Sequence, residues 1–196
     1  MTYGGTQMNK LLKLSTIASL FLAISGVQAG DAAAGKSKGM KCISCHGLKG
    51  ISSNPQYPSI AGQKEAFLVS QMEAFKNGSR PVAAKSALFG GLNTGDFGDL
   101  AAHFASLPAG SASSKAEAAV LDKGKAVYEM CSGCHGANGE GGDAGPRLAG
   151  QHSAYLIKRL GDYKSGAASD ESMKGIVGGM SDIDMASVSE FLSSLK

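Results

Sequence analysis

The chain has 196 residues and a formal charge of +3, from 19 basic and 16 acidic side chains, with 43% hydrophobic residues, 28 Gly and no Trp. So mild a charge excludes a nucleic-acid binder, four Cys are too few for a disulfide-dense scaffold, and no apolar run reaches the ~20 residues of a membrane span. The length suits one medium domain or two small ones; with seven Phe and five Tyr, two small ones need something besides side-chain packing to stabilise them.

Lys10 and Lys13 precede an apolar stretch from Leu14 to Ile24, and Val27-Gln28-Ala29 follows. A basic region, a short apolar run and a small-residue site predict a secretory signal peptide over residues 1–29, cut after Ala29, with Met8 as an alternative start. Its removal leaves 17 basic and 16 acidic side chains, a charge of +1. Export implies an oxidising compartment, where paired cysteines form a disulfide, bind metal or are covalently occupied.

The mature chain reads as three helices, a linker and three helices again. The first helix carries Cys42-Ile43-Ser44-Cys45-His46 near its C-terminal end. The second runs over 64–77, with Phe67, Leu68, Met72 and Phe75 at helical spacing and Gly78 as stop signal. The third starts at the capping-box pattern Asn93-x-x-Asp96 and ends at Leu107. Pro108 to Ser114 is a cluster of small residues and opens a linker over 108–119. Then the pattern returns. Cys131-Ser132-Gly133-Cys134-His135 follows the first motif at an offset of 89, and Pro58-Ser59-Ile60-Ala61-Gly62-Gln63 recurs as Pro146-Arg147-Leu148-Ala149-Gly150-Gln151 at an offset of 88. The second helix recurs over 152–164 and the capping box as Ser181-x-x-Asp184. No alternating strand pattern appears. The fold expected is all-α, with one duplicated unit at 30–107 and 120–196. Charge divides unevenly: residues 30–110 carry eight basic and five acidic side chains, residues 120–196 eight and ten.

Cys-x-x-Cys-His is the attachment signature of c-type haem. On a helix, Cys42 and Cys45 share one face, as do Cys42 and His46. Two thiols so placed form thioethers to one haem, and the adjacent imidazole meets its iron; Cys131, Cys134 and His135 repeat the set. A thioredoxin-like pair needs a βαβ context, and zinc wants four protein ligands where each half has two Cys and one local His. Disulfides within each motif leave both His unexplained. Two covalent haem c groups are the expectation, and each supplies the apolar core that a small domain lacks.

On these motifs, together with Asn54 to Gln63, Pro146 to Gln151 and Met180-Ser181-Asp182-Ile183-Asp184, residues 31–196 resemble the dihaem cytochrome c4 family, two fused class I cytochrome c domains. The resemblance implies a periplasmic electron carrier, soluble or associated with the membrane surface. Its partners would be redox proteins: a periplasmic donor and a membrane oxidase or reductase, or a dehydrogenase that it serves as electron-accepting subunit. It also implies that the carbonyls of Pro58 and Pro146 accept Nδ1–H of His46 and His135.

The family pattern places an axial Met seven residues before the residue that precedes the last helix. In the second half that residue is Met180 and the ligand Met173, set in the polar loop Ser169-Asp170-Glu171-Ser172; Met180 is read as packing. In the first half the same spacing from Leu92 gives Lys85, and no Met lies between Met72 and the linker. Three readings stay open: Lys85 ligates as a neutral amine, the first site is open or holds water and binds a small ligand, or another donor such as His103 reaches the iron. Lys85 is favoured. An amine in place of a thioether lowers the potential of the first haem.

Overall fold

The computed structural model describes residues 1–2 and 30–196, so apart from its first two residues the expected signal peptide lies outside the described part. Among the described residues the chain is helical throughout, with no strand. The first half comprises α1 (Ala32–Gly39), a 3-10 turn (Met40–Cys42), α2 (Ile43–His46), α3 (Glu65–Asn77), α4 (Ala83–Gly90) and α5 (Thr94–Ser106). The second comprises α6 (Ala118–Tyr128), α7 (Ser132–His135), α8 (Ser153–Lys164), α9 (Glu171–Val177) and α10 (Asp182–Ser194).

The second and third helices of each half stand where the sequence puts them. Both capping boxes are closed: Asn93 and Ser181 accept from the amides of Asp96 and Asp184, whose carboxylates accept in return from the cap amides. The expectation of three helices per half needs two corrections. The first helix is broken at the first Cys of the motif, by the 3-10 turn Met40–Cys42 in one half and by a turn over 129–131 in the other, so that α2 and α7 carry only four residues each. The expected polar loop around Met173 is itself a helix, α9. Asp170 is its N-cap, accepting from the Met173 amide at 3.0 Å, and Glu171 sits in the first turn, where the helix dipole favours an acid. The polar run that looked irregular is a helix start. Its counterpart α4 lacks a side-chain cap and is held by an Ala-rich sequence of high helix propensity.

Each half closes by crossing its first helix on its last, α1 on α5 and α6 on α10. The crossing is backbone against backbone: a Cβ at Gly35 would run into the Asp99 carbonyl, and one at Gly124 into that of Ser187. Only Gly permits so close an approach. Asp31 caps α1, and Lys38 ties its end to Asp96 at 2.5 Å and Asp99 at 2.6 Å on α5. The first core gathers Leu68, Met72, Phe89, Phe97, Leu100, Ala101 and Phe104; the second gathers Tyr128, Leu156, Val177, Met180, Met185, Val188 and Leu192.

The halves meet along the repeated segments 58–63 and 146–151. Gln63 Nε2 donates to the Arg147 carbonyl at 2.8 Å, and the Arg147 amide donates to Gln63 Oε1 at 2.8 Å. Gln151 Nε2 donates to the Ser59 carbonyl at 2.8 Å, and the Ser59 amide donates to Gln151 Oε1 at 2.9 Å. Gln63 corresponds to Gln151 and Ser59 to Arg147, so the seam is isologous, as between subunits related by a two-fold axis. His152 Nε2 adds a bond to the Ser52 carbonyl at 2.8 Å at its edge.

Candidate functional site

Each Cys-x-x-Cys-His motif sits where a helix ends and the chain must turn back beneath it. Gly47 and Gly136, directly after the histidines, have φ of 78° and 83°, a conformation that stops the helix and reverses the chain. The returning loop brings Pro58 and Pro146 under the imidazoles. His46 Nδ1 donates to the Pro58 carbonyl at 2.8 Å and His135 Nδ1 to the Pro146 carbonyl at 2.9 Å. A carbonyl only accepts, so Nδ1 carries a proton in both rings. Both rings are 6% exposed. Burial, and then the Lys85 ammonium, push His46 down to about 4, against the opposing pull of the Pro58 carbonyl. His46 is thus a neutral imidazole, the form that ligates metal.

All four thiols are free. Cys42 and Cys131 pack against their respective cores, while Cys134 is exposed. Burial pushes the Cys42 and Cys131 thiols up, the opposite of the depressed value that marks a reactive Cys-x-x-Cys redox pair. Among the described residues no three His, Cys, Asp or Glu side chains converge as a metal-binding group, which leaves zinc without the four ligands it takes. Two free thiols beside an imidazole anchored through Nδ1 to a backbone carbonyl are the donor set that covalent haem requires. Beside the second motif, Val127, Met130, Ile176 and Met180 line an open hollow of ≈ 610 Å³.

The structure brings Lys85 to the imidazole: its Nζ donates to His46 Nε2 at 2.9 Å, across 39 positions of sequence. Met173, at the corresponding place on α9, is partly buried against the second core. Met180 is buried in that core at 6% exposure, and Met72 in the first at 8%, the packing roles expected of them. His103 lies along α5 against α1, its ring 5.0 Å from that of Phe104 and beside Gly39. Gln63 and Gln151 received no role from sequence. Their signal was available, a polar residue recurring five positions after each proline, but nothing local distinguishes it from the rest of the repeat.

The family model described as cytochrome c matches residues 121–196. Cytochrome c4 of Pseudomonas aeruginosa is 37% identical over 201 residues, covering 96% of this chain and all of that protein. A protein of Thiomonas intermedia described as a thiosulfate dehydrogenase electron acceptor is 29% identical, covering 95% of this chain and 91% of its own length. The crystal structure of reduced recombinant cytochrome c4 from Pseudomonas stutzeri superposes with a TM-score of 0.80 at 32% identity, covering 86% of this chain and all of that one.

Proposed function

The chain belongs to the cytochrome c4 family and is an electron-transfer protein with two covalently attached haem c groups; from this premise we propose that it carries single electrons in the periplasm between a soluble donor and a membrane-bound oxidase or reductase, through two unlike axial sets. Haem iron supplies the one-electron ferric–ferrous couple. Cys42 and Cys45 hold the first group and Cys131 and Cys134 the second. His46 and His135 are the proximal ligands, fixed in orientation by Pro58 and Pro146. Met173 is the distal ligand of the second and Lys85 of the first. The division into two haem domains, 30–107 and 120–196, joined by 108–119, belongs to the same reading and is supported by the two separate cores.

The observation that carries the reading is the Lys85 Nζ placed 2.9 Å from His46 Nε2. A second nitrogen brought to the face of His46 would serve a group held there as its other protein ligand and would leave no open position for a substrate, which favours relay over turnover. A thioether raises the potential of a haem relative to other sixth ligands, so the first site lies lower, and electrons enter at the first half and leave from the second. Separate redox titration of the two haems tests this: the first is expected to be the more negative. Carbon monoxide is expected to leave the reduced spectrum unchanged; a shifted spectrum would mean an open first site. A second reading, electron acceptor of a periplasmic dehydrogenase, is favoured by the likeness to the Thiomonas protein. Fast reduction by a dehydrogenase and its substrate, in stopped flow, would select it.

A further inference from the structure

The Pro58–Ser59 and Pro146–Arg147 peptide groups are each engaged at both ends. The Pro58 carbonyl accepts from His46 Nδ1, and the amide N–H of the same peptide, on Ser59, donates to Gln151 Oε1 in the other half. The Pro146 carbonyl accepts from His135 Nδ1, and the N–H of that peptide, on Arg147, donates to Gln63 Oε1. A peptide group is one resonance-coupled unit. An acceptor drawn onto its N–H concentrates negative charge on its oxygen, and linked hydrogen bonds strengthen one another by roughly 10–30% per bond. A more negative proline carbonyl binds the histidine N–H more strongly, and a stronger bond at Nδ1 raises the basicity of the ligating Nε2.

We propose that Gln63 and Gln151 are positioning residues that act in trans: each sets, through one peptide group, the donor strength of the axial histidine in the opposite half, Gln151 for His46 and Gln63 for His135. The proposal rests on the reading of both histidines as haem ligands. Each glutamine is held for this task. Its Oε1 also accepts from the next amide of its own chain, Lys64 at 2.8 Å or His152 at 3.1 Å. Its Nε2 grips the carbonyl of the same residue whose N–H it binds. Both side chains are 8% exposed, so water competes little. A contact that served adhesion alone had no reason to fall, twice, on the one peptide that orients the imidazole. The two histidines are thereby linked through the seam, each to the glutamine of the other half.

Gln63→Met and Gln151→Met in the full holoprotein test this, since Met keeps the length and loses both bonds across the seam together with the one to the next amide. Gln63→Met is expected to raise the midpoint potential of the second haem and to move the His135 Nδ1–H proton resonance upfield in the reduced protein, leaving the first haem in place. Gln151→Met is expected to raise the first haem alone. Shifts confined to the half that carries the substitution, equal shifts in both, or none would overturn the proposal. Gln63→Glu guards against a loosened seam. It keeps an oxygen on the Arg147 N–H but turns another towards the Arg147 carbonyl, so the His135 resonance should hold or move downfield, whereas a purely adhesive role predicts the upfield move again. Failure of the ligand reading is separately visible, as an unsubstituted protein whose haems lack histidine ligation.

Discussion

Phe89, Phe97 and Phe104 in the first half correspond, at the offset of 88, to Val177, Met185 and Leu192 in the second. In the first half Phe75 stacks on Phe89 at 5.7 Å, and Phe89 meets Phe97 edge-on at 5.9 Å. The second core recovers part of that bulk elsewhere. Gly39 lies so close to Phe104 that a Cβ there would stand 3.2 Å from its ring, and at the corresponding place of the second half is the buried Tyr128. Large and small side chains are exchanged across one helix crossing. At this pair of positions bulk lost on one helix is regained on the other, as close packing favours. The proposed ligand position follows no such rule: Lys85 and Met173 differ in chemistry, and what they would change is the site rather than the scaffold.

The comparison breaks most severely at what the halves share. Gly35→Val drives a side chain into the Asp99 carbonyl and is expected to cost about 3 kcal/mol or more; thermal melting should show the first half unfolding early while the second keeps its transition. Phe97→Ala, at a side chain with no exposure, is expected to cost ~3–5 kcal/mol, and Met185→Ala ~2–5. Denaturant titrations of the pair should rank Phe97 higher.

Exchange of the two proposed ligands sharpens the contrast. Lys85→Met is expected to raise the first haem's potential, changing its ferrous-to-ferric ratio at fixed potential by about tenfold or more, and Met173→Lys to lower the second by a similar factor; spectrally resolved potentiometry reads both.

The smallest effect is electrostatic. A hydrogen bond from Lys38 holds the Asp99 carboxyl below the ordinary carboxylate range; for Asp96 the Asn93 amide acts first and Lys38 second. Their pKa values are depressed by folding, so their contribution is present above the ordinary value of ~3.9 and is lost as pH falls through the lower folded values. Lys38→Met should flatten the acid limb of the first half's melting temperature, and added salt should do the same in the unsubstituted protein.

Much of this was legible in the chain. The duplication, the two attachment motifs and both capping boxes are local patterns, and each folds as its spacing demands. Lys85 was reached by counting from Leu92, although its contact with His46 spans 39 residues. What sequence hid were features that depend on competition or on distance. Asp170 is equally at home in a loop and at an N-cap, and only the helix behind it decides. The bonds of Gln63 and Gln151 cross 84 and 92 residues and exist only once two folded halves are face to face.

The seam between the halves is made of one segment meeting its own repeat. Such a surface closes as readily between two separate polypeptides as between two parts of one, since each unit carries the matching donors and acceptors. Fusion then added few bonds, among them those of His152 to the Ser52 carbonyl and of Ala112 to the Gly150 carbonyl. It fixed the stoichiometry at two and released each copy from having to stay identical to its mate, the condition under which a lysine and a methionine come to occupy equivalent places in one molecule.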